Sequence, residues 1–335
     1  MSVQKIQNLF SDFTKLNVLI IGDVMLDNYL WGEVHRISPE APVPIVAVTQ
    51  KDSRLGGAAN VALNIKAMGA NPILCSVVGA DENSALFKSL LKEQKLSSKG
   101  ILRDKNRITT TKTRIIGNKH QMLRVDEETL HPLNQEQTKK LVAMVSVILG
   151  EQKIDVIIFE DYDKGVITAD LIEQVVALAK KKGIPTAVDP KKNNFLFYKN
   201  VTLFKPNFRE LKEGLSLEFD ATDAKKLIKA DKQLRAKLGN AITLITLSEA
   251  GVYVSDAKID HFIPAHLRNI SDVSGAGDTV IAIAALCLGM QTSAEFLAAL
   301  ANIAGGLVCE KIGVVSIDRE QLKQEAVNKL AGTKI

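Results

Sequence analysis

Residues Asn17–Gly22 read NVLIIG, with Asp23 directly behind them and Asp27 a little further on. A short apolar run ending in glycine suits a strand buried on both faces. Similar runs return at Ile73–Val78, Ile154–Phe159, Ile184–Val188, Val201–Phe204 and Ala241–Leu247. Between them lie stretches with helical periodicity: Ala58–Met68, Asn83–Glu93, Gln135–Leu149, Ala169–Lys181 and Ala221–Leu238. Near-continuous apolar strands alternating with helices predict an α/β protein whose mainly parallel sheet is covered on both faces.

Two segments break the alternation. Ser38–Val48, SPEAPVPIVAV, carries Pro39, Pro42 and Pro44, which bar a helix and favour an extended edge strand. Arg107–Asp126 is rich in threonine and turns at Gly117-Asn118, the pattern of a hairpin. Both interrupt βα units, so they predict a small β-sheet lid, with segments at about 33–50 and 105–126, on one domain spanning 1–335. No repeat, low-complexity tract or Pro/Gly/Ser linker divides the chain.

Composition narrows the function. Of 335 residues, 46% are hydrophobic and 24% charged, which excludes disorder and leaves room for a large core. The net charge of +5 is spread along the chain apart from short runs at Lys180–Lys182 and Lys191-Lys192, and aromatics are only 5%. A nucleic-acid partner would leave a denser basic stripe with aromatics for base stacking; a small anionic substrate fits better. Cys75, Cys287 and Cys309 are far apart and form no C-x-x-C, which points to a reducing cytoplasm. Met1–Leu16 lacks a signal-peptide pattern, and the apolar runs Val280–Met290 and Phe296–Val308 are too short to span a bilayer, so no membrane partner is expected.

The strongest local feature is Asp272–Thr279, DVSGAGDT, opening the apolar helix Val280–Leu288. Gly275, Ala276 and Gly277 let backbone N–H groups at a helix start approach an anion closely. Asp278 then has two readings. The commoner is a helix-capping carboxylate; the sharper is a general base beside a bound phosphoryl group. Alternatives are missing: the chain has no G-x-x-x-x-G-K-[ST], complete G-x-G-x-x-G after a strand, H-E-x-x-H or G-x-S-x-G, and its five histidines lack metal-ligand spacing. A second feature, Arg54–Asn60 (RLGGAAN), offers Gly56-Gly57 for close approach and Asn60 for sugar hydroxyls, or a plain turn before a helix. A third, Lys205–Glu210 (KPNFRE), places Asn207 and Glu210 on one helical face, for a hydrated Mg²⁺ and phosphates or for an ordinary capping pair.

In this order the three features resemble the ribokinase-like sugar kinases, also called the phosphofructokinase B type, and the resemblance covers essentially the whole chain. It implies a three-layer α/β/α fold with a mainly parallel central sheet and a small β-sheet lid. The family signature D-T-x-G-A-G-D departs here only at Val273 and Ser274. Within that family the segment RISPEAPVP at Arg36–Pro44 resembles the D-glycero-D-manno-heptose 7-phosphate kinases, which provide ADP-heptose for lipopolysaccharide. RLGGAANVALNI, QMLRVD, DYDKG, DPK and TLSEAG match as well. Such kinases are often fused to a nucleotidyltransferase; nothing follows Ile335, so a stand-alone kinase or an excised kinase half is expected.

The resemblance implies ATP and Mg²⁺ as cofactors, and phosphorylation of the C1 hydroxyl to heptose 1,7-bisphosphate. Asp278 would be the base and Gly275, Ala276 and Gly277 the anion hole. Asn207 and Glu210 would lie near the metal, through water. Thr246, Ser248, Gly251, Ser274 and Asn302 would lie near the nucleotide. Asp23, Asp27, Gly56, Gly57, Asn60 and Asp189 would meet the sugar, with Arg114, Arg124, Lys164 and Lys191 as candidates for its distal phosphate. Surface solvation is the plainer reading for any one of these cations. An exposed lid sheet predicts a homodimer clasped through the lids. The competing readings are a kinase for another sugar, such as fructose 1-phosphate or ribose, and a non-catalytic sugar-sensing module.

Overall fold

The fold was obtained as a computed structural model, which describes residues 1–333 except Ala257 and Leu267. After α1 (Val3–Asp12), the six residues that opened the sequence reading form β1 (Asn17–Gly22). Then come two long strands, β2 (Val24–Ile37) and β3 (Pro44–Gly57), followed by α2 (Ala58–Ala67), β4 (Asn71–Gly79), α3 (Glu82–Glu93) and β5 (Ile101–Asp104). The hairpin is β6 (Thr111–Gly117) and β7 (His120–Glu127). The chain continues through α4 (Gln135–Glu151), β8 (Val156–Glu160), α5 (Ala169–Lys182), β9 (Thr186–Asp189), β10 (Leu203–Phe204), α6 (Phe208–Leu215) and α7 (Ala224–Leu238). It closes with β11 (Ile242–Thr246), β12 (Val252–Ser255), β13 (Asp260–Ile263), α8 (Ala276–Gly289), α9 (Ala294–Val308) and α10 (Arg319–Leu330).

Nine strands form one sheet in the order β13-β12-β11-β10-β9-β8-β1-β4-β5, parallel except where β12 and β13 run antiparallel at one edge. Alternate residues of the central strands feed two cores. Val18, Ile20, Val156 and Ile158 pack with α1, α2, α8, α9 and α10. Leu19, Ile21, Ile157 and Phe159 pack with α4, α5, α6 and α7 on the other face. This double burial is why the strands carry no polar alternation, and it gives the three α/β/α layers.

A second sheet of four strands, β3-β2-β6-β7, projects from the first. It is larger than the expected lid segments: β2 starts at Val24, directly behind β1, and the proline-rich stretch up to Val43 is the turn joining β2 to β3 instead of a strand. Proline removes ladder donors, so it occupies the turn and the first position of β3. Register shifts in β2–β3 at Trp31/Gly32 and Val34/Arg36 bend the far end of this sheet.

Candidate active site

The three chemistry-bearing features, DVSGAGDT, RLGGAAN and KPNFRE, lie at the carboxyl ends of strands, whereas RISPEAPVP and QMLRVD belong to the small sheet. Helix α8 starts from Gly275, whose φ of 78° is left-handed and suits glycine. A Cβ at Gly275 would stand 2.9 Å from Nδ2 of Asn60. The Ala276 N–H bonds the Val273 carbonyl at 3.3 Å, while the N–H groups of Gly277 and Asp278 precede the first carbonyl the helix offers, so this helix start suits an anion. Asp278 lies in the first turn, 3% exposed. It does not cap the helix: its Oδ1 accepts from the Tyr162 hydroxyl at 2.6 Å and its Oδ2 from Nδ2 of Asn60 at 2.7 Å. Burial raises its pKa to about 6; the two hydrogen bonds oppose that rise, and the charges of Asp189 and Asp27 add to it.

Each donor is itself fixed. Asn60 sits in the first turn of α2, fully buried, behind Gly57 with φ of 59°. A Cβ at Gly57 would come within 2.4 Å of the Asp23 carbonyl oxygen, so only glycine lets β3 turn into α2 here. Tyr162 is held by Asp23, whose carboxylate accepts from the backbone N–H groups of Tyr162, Lys164 and Val166 at 2.8, 3.1 and 3.0 Å. Burial, reinforced by the nearby Asp161 charge, pushes Asp23 up to about 6 against those three bonds. Asp23, expected to touch sugar, thus anchors the loop that carries Tyr162 through these three bonds.

The other wall is a chain of alternating charges. Lys205, 2% exposed, pairs with Oδ2 of Asp189 at 2.8 Å. Lys191 stands 3.8 Å from Oδ1 of Asp189 and 2.5 Å from Oε1 of Glu210. These carboxylates hold the Lys191 ammonium well above its ordinary range, outweighing burial. Asp189 and Lys205 adjoin the anion loop: a Cβ at Gly277 would lie 3.5 Å from Asp189 Oδ2 and 4.0 Å from Lys205 Nζ. Asn207 and Glu210 do form the capping box of α6, each side chain bonding the other's backbone N–H at 2.8 Å. Glu210 Oε2 takes that N–H and Oε1 takes Lys191, and the lone pairs left over fit a metal-bound water. Lys205 had no role in the sequence reading, although its place directly behind β10 was a usable signal.

Strand register sorts the small sheet into two faces. Asp27 pairs with Arg54 and Lys112, Tyr29 with Arg114, Arg114 with Arg124, and Lys112 with Asp126. Register partners share a face, so these residues line the side on which Arg114 bonds Asp27 at 2.5 Å and Lys112 stands 5.5 Å over the Tyr162 ring. Arg54 and Arg114 both lie on the Tyr29 ring, at 4.9 and 5.3 Å. All four expected phosphate cations already have carboxylate partners: Arg114 has Asp27, Lys164 has Glu128 at 2.8 Å, Lys191 has Glu210 and Arg124 has Asp126. Arg124 spans both oxygens of Asp126 at 2.9 and 3.0 Å and is half exposed. Lys112 was not singled out from sequence. Among the described residues no carboxylate lies within ion-pair distance of it, and burial, then the Lys164 charge, lowers its pKa.

Of the residues expected near a nucleotide, Thr246 forms a bridge with Asn207, Ser248 and Gly251 take positive-φ turns after β11, and Ser274 donates its N–H to Asp272. Asn302, on α9, bonds the Pro264 carbonyl at 2.9 Å. Gly56 backs directly onto Asp27, whose Oδ2 would lie 2.1 Å from a Cβ there.

Comparison with known proteins adds three findings. The model of the pfkB family of carbohydrate kinases matches residues 15–321. The curated protein "Bifunctional protein HldE" of Syntrophotalea carbinolica is 38% identical over 323 residues, and that of Geobacter metallireducens 37% over 323; each alignment covers 95% of this chain and 64% of the relative. The chain therefore spans under two thirds of the length of these relatives. Among solved structures, phosphofructokinase-2 from Escherichia coli in complex with potassium superposes with a TM-score of 0.78 at 19% identity, covering 94% of this chain and 99% of that one. Arabidopsis thaliana ribokinase complexed with ribose and ATP gives 0.71 at 16% identity, covering 93% and 98%.

Proposed function

The chain belongs to the pfkB family of carbohydrate kinases and is an ATP-dependent sugar kinase; from that premise we propose that its acceptor is D-glycero-D-manno-heptose 7-phosphate, phosphorylated at the C1 hydroxyl. The observation that carries the chemistry is the buried Asp278 held between Tyr162 and Asn60 at the start of α8, beside the Gly275–Gly277 anion loop. The heptose assignment draws on the match at Arg36–Pro44 and on the bifunctional HldE relatives.

The sugar lies between the two sheets with its C1 hydroxyl at Asp278. Each carboxylate oxygen of Asp278 retains a lone pair beyond the one its present donor uses. As the C1 oxygen bonds the γ-phosphorus, Asp278 takes the hydroxyl proton, the bond to the β–γ bridging oxygen breaks, and ADP leaves. The N–H groups at the α8 start and the Lys205 ammonium meet the charge on the transferring group. Mg²⁺ would supply charge neutralisation for the phosphates, and Asn207 and Glu210 would hold it through water. Asp27 and Asn60 face the sugar, and the basic residues on the cleft face of the small sheet face its phosphate. Thr246, Ser248, Gly251 and Asn302 border the nucleotide.

A second copy of the chain covers the outer face of the lid in this reading. Leu123 and Val125, 56% and 43% exposed, lie on β7, which is exposed along its whole length. The deciding assay offers heptose 7-phosphate, fructose 1-phosphate and ribose with ATP to the purified protein. Heptose 7-phosphate should give the highest kcat/KM; a preference for ribose or fructose 1-phosphate overturns the acceptor while leaving the sugar kinase.

A further inference from the structure

Glu160 ends β8 with no exposed surface, and neither of its carboxylate oxygens meets a hydrogen-bond donor. Its register partner on β9 is Asp189, whose Oδ1 is also buried and without a donor. Neighbouring strands lie about 4.7–4.9 Å apart and register partners point the same way, so the two carboxyls are side by side. Two adjacent buried carboxylates would repel, and their oxygens would be left without donors. One proton removes the repulsion and pairs one Glu160 oxygen with Oδ1 of Asp189. A protonated Glu160 is a donor, and Oδ1 of Asp189 is the acceptor beside it. Asp189 is the partner that keeps its charge, because Lys205 lies 2.8 Å from its Oδ2 and Lys191 3.8 Å from its Oδ1. Among the described residues no cation reaches Glu160 at ion-pair distance.

We propose that Glu160 and Asp189 share one proton carried by Glu160, and that this neutral acid is a positioning residue holding Asp189, and through it Lys205, beside the anion loop. The surroundings agree from every side that bears charge: Asp189 on β9, Asp278 on α8, Lys191 behind β9 and Lys205 behind β10, with the Tyr162 and Tyr198 phenols also sensing it. Burial, then the Asp189 and Asp278 charges, holds the Glu160 carboxyl well above its ordinary range, and the two lysines only partly oppose this. Ionising Glu160 would add a negative charge where the phosphates of a nucleotide must come. The kinetic consequence rests on the kinase reading; the shared proton does not.

The test compares wild type with Glu160→Gln, whose amide can donate to Asp189 as the acid does. The folded protein keeps this proton at pH values where the unfolded chain loses it. Wild type should therefore lose stability relative to the variant as pH rises above the ordinary glutamate range. Glu160→Gln should melt with wild type near pH 4 and above it by about 3 °C or more at pH 8. A variant less stable than wild type across that range would mean an ionised, paired Glu160 and would overturn the proposal. Independently of any variant's folding, wild type at pH 8 should show a carboxylic C=O infrared band, absent from Glu160→Gln; no such band also overturns it. Wild-type kcat/KM for ATP should fall at alkaline pH in a one-proton limb that the variant lacks or shows at least one pH unit higher. An unmoved limb refutes the positioning role. The melts and the infrared band do not involve the acceptor, so they stand or fall apart from the heptose reading.

Discussion

Replacing Asp278 with asparagine removes one proton acceptor and little else. The side chain is 3% exposed and bonded by Tyr162 at 2.6 Å and Asn60 at 2.7 Å. The amide oxygen can keep accepting from Asn60, and the Tyr162 hydroxyl can turn to accept from the new N–H. Geometry is retained. A positioned general base contributes about 10²–10⁴-fold, or ~2.7–5.4 kcal/mol of barrier. With the anion loop and Lys205 untouched, kcat should fall by about 10²-fold or more while ATP affinity stays within about threefold.

Stability should move the other way. The Asp278 pKa of about 6, above its ordinary 3.8, means that burial disfavours the ionised form in the folded protein. The stabilising state is the protonated one, so this contribution is present below the ordinary value and lost as pH climbs through about 6. A two-unit rise is worth roughly 3 kcal/mol at pH 8, which the neutral amide should largely recover. Asp278→Asn should therefore melt at or a few degrees above wild type at pH 8, with the gap closing below pH 4. The assay is steady-state ADP release at saturating ATP over a range of heptose 7-phosphate concentrations, from pH 5 to 9. Wild-type kcat/KM should rise through about pH 6 and the variant's should be flat. A folded variant with more than about a tenth of wild-type kcat would remove Asp278 from the base role.

Tyr162→Phe deletes a hydrogen bond to the charged form of Asp278, so the acidic limb of kcat/KM should move up from about pH 6 by about one unit; an unmoved limb would leave Tyr162 as packing only. Lys112→Gln should raise KM for the heptose phosphate by about 10-fold or more and leave KM for ATP within about threefold, because Lys112 is the cleft-facing lid cation without a carboxylate partner among the described residues. Arg124→Ala should cost less than Lys112→Gln, since Asp126 already holds the guanidinium; the reverse order would restore Arg124 as the phosphate ligand. Amide exchange in β2, β3, β6 and β7 should be faster than in β1 and β8 and should slow when sugar phosphate is added; indifference to the sugar would end the lid reading.

The central layers were legible because burial on both faces leaves its mark in composition. Runs such as NVLIIG and VIIFE have no polar alternation, so their type as strands buried on both faces was readable without distant residues, whereas their order in the sheet was not. Strands β12 and β13 went unread because each is only four residues long, too short to show a period, and β13 at the sheet edge also mixes exposed and half-buried positions; β2 was missed because its first half is buried like a core strand while its second half is exposed. Asp278 and Asn60 could be named from their glycine neighbours. Tyr162, Lys205 and Glu160 could not, since each gains its role from a partner more than a hundred residues away or from an adjacent strand. Asp23 was read as a ligand because an acid behind a strand is ambiguous until the backbone N–H groups of a distant loop are seen to fill it.

The lid shows what register adds to such a reading. TKTRII over residues 111–116 alternates, and alternation alone says that Lys112 and Arg114 share a face without saying which way it looks. Pairing with β2 fixes the direction, because Asp27 and Tyr29 are their partners and Asp27 accepts from Arg114. The same register sends Leu123 and Val125 to the opposite, exposed face. One strand pair thus separates the charges that face a substrate from the apolar residues open to a second chain. A one-residue slip of β6 would exchange the two faces. Both the proposed sugar-phosphate contacts and the proposed clasp of two lids therefore rest on β2 leaving β1 immediately, with the Asp23 carboxylate holding the loop beside that exit.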